Sequence, residues 1–293
     1  LSKVQSRSSF LNALSAVLLW STVATAFKIT LSEIPFDLLL LYSSAVSFFA
    51  LSIIAIFKTG IKSLSAAILS PQNILLGFIN PFLYYLVLFK AYSLLPAQEA
   101  QPLNYTWPIA ISIFSVVFLK QKLSLKITSG LIIAFLGVTV IATRGDFSYL
   151  NFSNISGVLL ATGSSVSWAA YWTLNMILKQ EDHLKLTGAF FWGVTFSLIY
   201  FITFGQDFIF SFKAFTGSAY IGLFEMGITF FLWMKGIQLS KNKAKTSTLA
   251  YLSPFISLLF ISAILKESLM ISSVIGLLMI VSGILIQQTE RTE

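Results

Sequence analysis

Residues 104–123 read NYTWPIAISIFSVVFLKQKL, and residues 250–269 read AYLSPFISLLFISAILKESL. A shift of 146 lays the first on the second. Tyr105 then falls on Tyr251, Pro108 on Pro254, Lys120 on Lys266 and Leu123 on Leu269, and further along Gly130 falls on Gly276 and Gly137 on Gly283. Upstream, a shift of 145 lays GFINPFLYYLVLFKAYSLL (77–95) on GLFEMGITFFLWMKGIQL (222–239), with Gly77 on Gly222, Asn80 on Glu225 and Lys90 on Lys235. The slip of one residue between the two alignments is an ordinary loop change, so the chain carries one unit twice.

The unit is written for lipid. Of 293 residues, 56% are hydrophobic and 10% charged, against about 25% charged in an ordinary soluble domain. Long apolar segments follow one another, each enough to cross a hydrocarbon core of roughly 30 Å as a helix. They run over 10–31, 35–57, 72–95, 96–119, 124–143, 155–178, 184–205, 216–239, 243–265 and 269–288. The pattern predicts an all-α integral membrane fold of ten transmembrane helices. Its halves, 1–150 and 151–293, hold five spans each. An odd number of crossings separates equivalent points, so the two repeats are inverted, the arrangement that lets a carrier open alternately to either side of a midplane site.

Charge gives the orientation. With the N-terminus in the cytoplasm, that side receives Lys3, Arg7, Lys58, Lys62, Lys120, Lys122, Lys126, Lys179, Lys185, Lys241, Lys243, Lys245 and Arg291, and the far side only Arg144, Lys213 and Lys266. This bias predicts an inner (plasma) membrane protein with both termini cytoplasmic. The net charge of +8 is then a topology signal, because short scattered loops make no continuous basic surface for nucleic acid. The first span follows basic residues, as a signal peptide would, but it is too long for an h-region; it is read as the first helix. Cysteine is absent, and the single histidine, His183, falls in the charged loop KQEDHLK. A Cys/His metal site or nucleophile pair is therefore excluded, and no cofactor is expected.

The repeated residues resemble a known family. A proline-bearing helix, a G-E-x-L-like turn and a last helix with two glycines, here P108…KQKL…G130…G137 and P254…KESL…G276…G283, are similar to the repeats of EamA-type drug/metabolite transporters. LLWST (18–22), LLPAQEAQPLNYTWP (94–108) and SWAAYW (167–172) resemble the branch that exports aromatic and other amino acids. The first repeat departs from the pattern, with Lys120-Gln121 where the family usually has Gly-Glu. The resemblance implies a carrier of small molecules that performs no covalent chemistry.

Polar and aromatic residues recurring at three and four mark the faces turned away from lipid. Gln101, Asn104, Tyr105, Pro108 and Ser112 form such a stripe on the fourth span, and Ser247, Tyr251 and Pro254 match it on the ninth. Ser164, Trp168, Tyr171, Trp172 and Asn175 share a face of the sixth; Ser21, Thr25 and Lys28 lie beside Trp20 on the first; Tyr84 and Tyr85 stand on the third. The competing explanation for Ser, Thr and Asn is helix packing by hydrogen bonding, and for Trp and Tyr the interfacial belt. Trp107 follows the family pattern, whereas Trp192 and Trp233 have no assignment. The paired glycines, seven apart, let the fifth and tenth helices pack closely. Lys90 and Lys235 lie near span ends and can snorkel.

Glu225 stands apart. It is the only acid between Asp207 and Glu267 and lies too deep in its span to reach an interface. An ionised carboxylate there needs compensation. A substrate ammonium, a transported proton and Lys28 are the three partners open to it. The candidate substrate-binding set is thus Trp20, Ser21, Lys28, Tyr84, Gln101, Asn104, Tyr105, Trp107, Trp168, Tyr171, Glu225 and Tyr251. The reading is a secondary-active exporter, monomeric or homodimeric, of a small amine-bearing metabolite such as an amino acid. Its rivals are an exchanger of nucleotide-like or adenosyl metabolites, a drug efflux carrier, a passive channel and an intramembrane enzyme; the last lacks a pair of membrane aspartates or a membrane histidine to act as acid and base.

Overall fold

The computed structural model describes residues 3–118, 124–146, 154–178, 180–205, 208–240, 246 and 248–288, and every regular element among them is helical. The Lys120-Gln121 turn, Lys179, Lys241, Lys243, Lys245, Ser247 and Arg291 lie outside the described residues. The chain begins with α1 (Lys3–Leu31), α2 (Phe36–Thr59), the short α3 (Ile61–Ile68) and α4 (Pro71–Gly77), which continues through a kink (Phe78–Leu83) into α5 (Tyr84–Leu94). Next come α6 (Ala97–Asn104), α7 (Trp107–Phe118), α8 (Leu125–Ala142), α9 (Ile155–Ile177) and α10 (Asp182–Phe204). Helix α11 (Phe212–Ile221) passes through a π turn (Gly222–Gly227) into α12 (Ile228–Leu239). A 3-10 turn (Thr248–Tyr251), α13 (Leu252–Phe260), a second π turn (Ile261–Leu265) and α14 (Ile271–Gln288) complete the chain.

Side-chain caps set several of the starts. Ser124, Asn154 and Ser211 accept the backbone N–H of Ile127, Gly157 and Ala214 and so cap α8, α9 and α11. Pro35 and Pro96 stand at the N-caps of α2 and α6, and Pro71 is the first residue of α4, where a missing N–H costs nothing. Helix α3 falls between two expected spans. It buries Leu64 and Ala67 and leaves its lysine face out, an amphipathic segment too short to register as a span.

Seven helical segments among the described residues are long and apolar enough to cross a membrane: Ser8–Leu31, Phe36–Thr59, Pro71–Leu94, Leu125–Ala142, Asp182–Phe204, Phe212–Leu239 and Thr248–Leu265. The other three expected spans differ for identifiable reasons. The fourth is broken at Tyr105–Thr106, between α6 and α7, where Pro108 has no N–H to continue the hydrogen-bond ladder of α6 and instead sits in the first turn of α7, a position that needs none. The sixth, α9, is long but diluted by Ser, Thr, Asn, Trp and Tyr. The tenth is a shorter apolar run, Ile271–Ile286.

Polarity is turned inside out. Phe49, Phe57, Phe135, Leu159, Ile202 and Phe212 are exposed, while Ser21, Ser43, Ser44, Ser47, Ser164, Ser218, Ser253 and Ser257 are buried. Many of these hydroxyls bond a carbonyl one turn back, as Ser43 and Ser44 do to Leu39 and Leu40. A shell of hydrocarbon with hydroxyls within suits a multi-pass protein solvated by lipid.

Close backbone contacts come in reciprocal pairs. A Cβ on Gly137 would collide with the Gly276 carbonyl, and one on Gly283 with the Gly130 carbonyl, so α8 and α14 meet backbone to backbone. A Cβ on Gly77 would strike the Ala189 carbonyl of α10, and one on Gly222 the Ser43 carbonyl of α2. In the first set, the second contact is the first with each residue replaced by its partner in the sequence repeat; in the second set, the two glycines are such partners and each meets the carbonyl of a neighbouring helix.

Candidate functional site

The residues that the repeat superposes, Asn80 and Glu225, both stand where a helix bends: Asn80 has extended backbone at a kink before Pro81, and Glu225 lies in the π turn Gly222–Gly227. A π turn inserts one residue into an α-helix and leaves backbone groups out of register. Here side chains take them up: Ser47 donates to the Gly222 carbonyl, and Thr229 to the Phe224 carbonyl. The insertion swings Glu225 toward α5 and α1. Glu225 is near the middle of the segment Phe212–Leu239. At a helical rise of about 1.5 Å per residue it stands about 20 Å from either end.

Glu225 borders a cavity of about 650 Å³. Trp20 from α1, Tyr84 and Tyr92 from α5, Trp168 and Trp172 from α9 and Trp233 from α12 form its aromatic wall, with Tyr105 and Trp107 at the α6–α7 break. Gln101, Asn104 and Asn175 add amides. The wall runs from the buried Phe27 and Tyr92 at one end to Asp182 and the exposed Gln238 at the other. The mouth is therefore at the end where α9 gives way to α10.

Around the carboxylate the contacts are specific. The Tyr85 hydroxyl donates to Glu225 Oε1 at 3.2 Å, and Trp20 Nε1 to the Glu225 carbonyl at 3.4 Å. Glu225 Oε2 is buried without a protein donor. Tyr84, packed on Tyr85 at 4.6 Å between ring centres, donates to Asn104 Oδ1, and Asn104 Nδ2 donates to Ser164 Oγ at 2.8 Å. Trp168 stacks between Tyr84 (4.8 Å) and Phe230 (5.4 Å). One network thus fixes the walls contributed by α5, α6, α9 and α12.

The end opposite the mouth is tied shut. Lys28 Nζ donates to the carbonyls of Tyr92 and Leu95 at 2.9 and 3.0 Å. Glu267 accepts the N–H groups of Ala97 and Gln98 at the start of α6, while Gln98 donates to the Ser268 carbonyl and accepts from Met270. Arg144 Nε donates to the fully buried Glu99 at 2.8 Å. Left-handed backbone at Arg144 and Gly145 (φ 54° and 79°) ends α8 and turns the guanidinium back toward Glu99.

The comparisons with known proteins meet this geometry. The profile of the EamA-like transporter family matches residues 7–143 and again 155–287. The chain belongs to the EamA-like transporter family. YvbV, an uncharacterized transporter of Bacillus subtilis (strain 168), is 26% identical to this EamA-like chain over 234 residues, 75% of this chain and 72% of that one. Two proteins named aromatic amino acid exporter YddG are also similar. The one from Ancylobacter novellus is 25% identical over 87% of this chain and 88% of its own. The one from Escherichia coli (strain K12) is 28% identical over 65% and 66%. A solved crystal structure superposes with a TM-score of 0.69 at 21% identity, covering 98% of this chain and 99% of that one, which shows the shared fold.

Nine of the twelve residues singled out in this EamA-like sequence border the cavity: Trp20, Tyr84, Gln101, Asn104, Tyr105, Trp107, Trp168, Glu225 and Tyr251. Three do not. Ser21 turns its hydroxyl to the Val17 carbonyl and Ser253, and Tyr171 packs on Trp168 and Trp172 behind the wall. Lys28, one of the partners open to Glu225 by sequence, is clasped by carbonyls at the closed end instead. Ser112's side chain is not described. Lys90 rests 4.8 Å over the Phe36 ring, and Lys235 is exposed. Of the two tryptophans that the sequence leaves unassigned, Trp192 donates to the Ile68 carbonyl away from the cavity, whereas Trp233 lines it. Its position eight residues after Glu225, two turns on the same face, is the available signal. Lys185 also lines the wall, but its ammonium is engaged by the Asn175 carbonyl and side chain, the Leu178 carbonyl and Asp182. Nothing in the sequence marks it.

Proposed function

We propose that the chain is a secondary-active exporter of a small amine-bearing metabolite, an amino acid or a close relative of one, working by alternating access. Its units are two inverted five-helix repeats, 1–150 and 151–293, in the inner membrane with both termini cytoplasmic. The reciprocal glycine contacts support the two-fold relation, since an approximate axis between the halves generates paired contacts of this kind. So does the recurrence of a bend in the helix at the same place in each half. By the distribution of basic residues, the mouth faces the cytoplasm and the Glu99–Arg144 end faces outward, so the structure corresponds to a state open inward.

The observation that carries the reading is a carboxylate at mid-membrane depth, half-satisfied, in the wall of an aromatic cavity large enough for a metabolite. The aromatic rings would hold an apolar body and add cation–π attraction of about 0.5 to 2 kcal/mol each. The names of the two YddG relatives favour an amino-acid-like substrate. A second role for Glu225, carriage of the coupling proton, rests on the same oxygen without a donor and predicts that exchange survives its neutralisation while uphill flux is lost. Neither role needs covalent chemistry. Counterflow in proteoliposomes loaded with amino acids or amines tests the proposal. Saturable accumulation of a labelled panel member is expected; conductance without saturation, or inertness to every amino acid and amine, would refute it.

A further inference from the structure

Two residues of the cavity wall carry a buried side-chain oxygen without a donor, and among the described residues the wall has no free cation. Glu225 and Gln101 both border it and are both more than nine-tenths buried, and Glu225 Oε2 and Gln101 Oε1 lack a protein donor. Burial of an acceptor without a donor is unfavourable, so this pair asks for a ligand that donates N–H. The one cation of the wall among the described residues is Lys185, and four oxygens already engage its ammonium. Lys28, the other ammonium near the deep end, is outside the wall and held by two carbonyls.

This asymmetry bears on the substrate's own charge. An α-amino acid carries its carboxylate on the carbon that bears the ammonium, so a nitrogen seated at Glu225 brings the carboxylate to within a few ångströms of the same acid. Among the described residues of the wall, Lys185 is the only cation that could answer that charge, and its ammonium is already engaged. Trp20 fixes the local wall by its bond to the Glu225 carbonyl, and Tyr84, Trp168, Trp172 and Trp233 line the same cavity with aromatic rings. A ring face attracts a cation and repels an anion.

Resting on the transport reading above, we infer that this site selects a net cation: an amine with an apolar, preferably aromatic, body and no carboxylate on the carbon that bears its nitrogen. Glu225 takes the ammonium, Gln101 accepts a second N–H, and the rings hold the body. An amino acid is then the weaker ligand of the pair formed with its decarboxylated counterpart.

Calorimetric titration of the purified full-length protein with matched pairs tests this. Phenethylamine is compared with L-phenylalanine, and isopentylamine with L-leucine; 3-phenylpropanoate is the anionic control. Each amine is expected to bind at least about tenfold more tightly than its amino acid, and the anion not at all, the scale of one charge-assisted contact. Glu225→Gln should remove the preference, and Gln101→Leu, a milder change, should lower amine affinity severalfold while leaving the protein monodisperse. Amino acids binding as tightly as their amines would overturn the cation preference and leave an amino-acid exporter standing. Failure of every amine and amino acid to bind would sink both the inference and the transport reading beneath it.

Discussion

The two bends, one between α4 and α5 and one between α11 and α12, stand at the same place in the sequence repeat and differ in backbone and in chemistry: the first is a kink with extended backbone at Asn80 before Pro81, the second a π turn. Each interrupts its helix where the repeat superposes them, and each is pressed by a glycine onto a neighbouring helix, Gly77 onto α10 and Gly222 onto α2. The first presents Asn80, buried and away from the cavity; the second presents Glu225 in the wall. The correspondence of the two halves in sequence therefore does not extend to the site. A duplicated unit can keep its packing and its hinge points in both copies while only one copy holds the charge that meets a ligand.

The largest effect is all-or-none and concerns the orientation of the halves. Lys62 and Lys213 lie in the corresponding segments before the two kinked helices. With no native cysteine, Lys213→Cys should react with an impermeant thiol reagent added outside cells and Lys62→Cys only after the membrane is opened. Labelling of both from one side would dissolve the inverted relation on which the comparison stands.

Next in size is the contrast between the residues at the bends themselves. Glu225→Gln keeps shape and a hydrogen-bonding end but removes the charge, and should weaken binding of the transported amine about ten- to a hundredfold. Asn80→Ala should leave affinity within about threefold, because Asn80 is not in the wall. Equal losses from the two substitutions would mean that the bends act as hinges and that Glu225 is there for packing.

A smaller effect separates the tryptophans. Trp168→Leu retains apolar bulk but removes a ring face stacked between Tyr84 and Phe230. It should cost roughly tenfold in affinity, within the range of one cation–π contact. Trp192→Leu removes the bond to the Ile68 carbonyl. It should leave affinity unchanged and lower stability by about 1 kcal/mol, the value of one such bond. Binding and unfolding measured on the same preparations read both.

What the sequence disclosed follows from what kind of interaction makes each feature. Most of the spans and the glycine seam of α8 and α14 are local or periodic, and are legible in residue type and spacing, whereas the break at Tyr105–Thr106 falls inside a stretch, 96–119, that the hydropathy pattern reads as one span. The aromatic stripes are legible for the same reason, since residues three and four apart share a face. The kink at Asn80 carries a signal, Pro81, that the span pattern passes over. The π turn at Glu225 is not legible, because an inserted residue shifts register without altering composition. Nor is the fate of Lys28, Glu99 or Glu267. Each is decided by a partner on another element: the Tyr92 and Leu95 carbonyls, Arg144, and the free N–H groups at the start of α6. The resemblance named the turn that holds Glu267 but not what its carboxylate binds.

The smallest expected effect is at the closed end and sharpens the comparison between the molecule's two ends. Glu99 is wholly buried and Arg144 about half exposed, so the pair is partly screened by water and its contribution is modest. It is one of three ties there, beside the Lys28 clasp and the Glu267 cap on α6. Glu99→Gln removes the charge that recruits the guanidinium and leaves the other two ties in place. The equilibrium between inward- and outward-open states should move by a small factor rather than switch, because a perturbation shifts populations only by its differential free energy. The reporter is a cysteine at Gln101, in the cavity wall close to that end, labelled from outside intact cells. In the Glu99→Gln background its labelling rate should rise about three- to tenfold. Replacing Lys213, whose bond to Glu33 joins exposed segments, should leave that rate alone. An unchanged rate in Glu99→Gln, or an equal rise on replacing Lys213, would show that the Glu99–Arg144 pair does not hold this end closed.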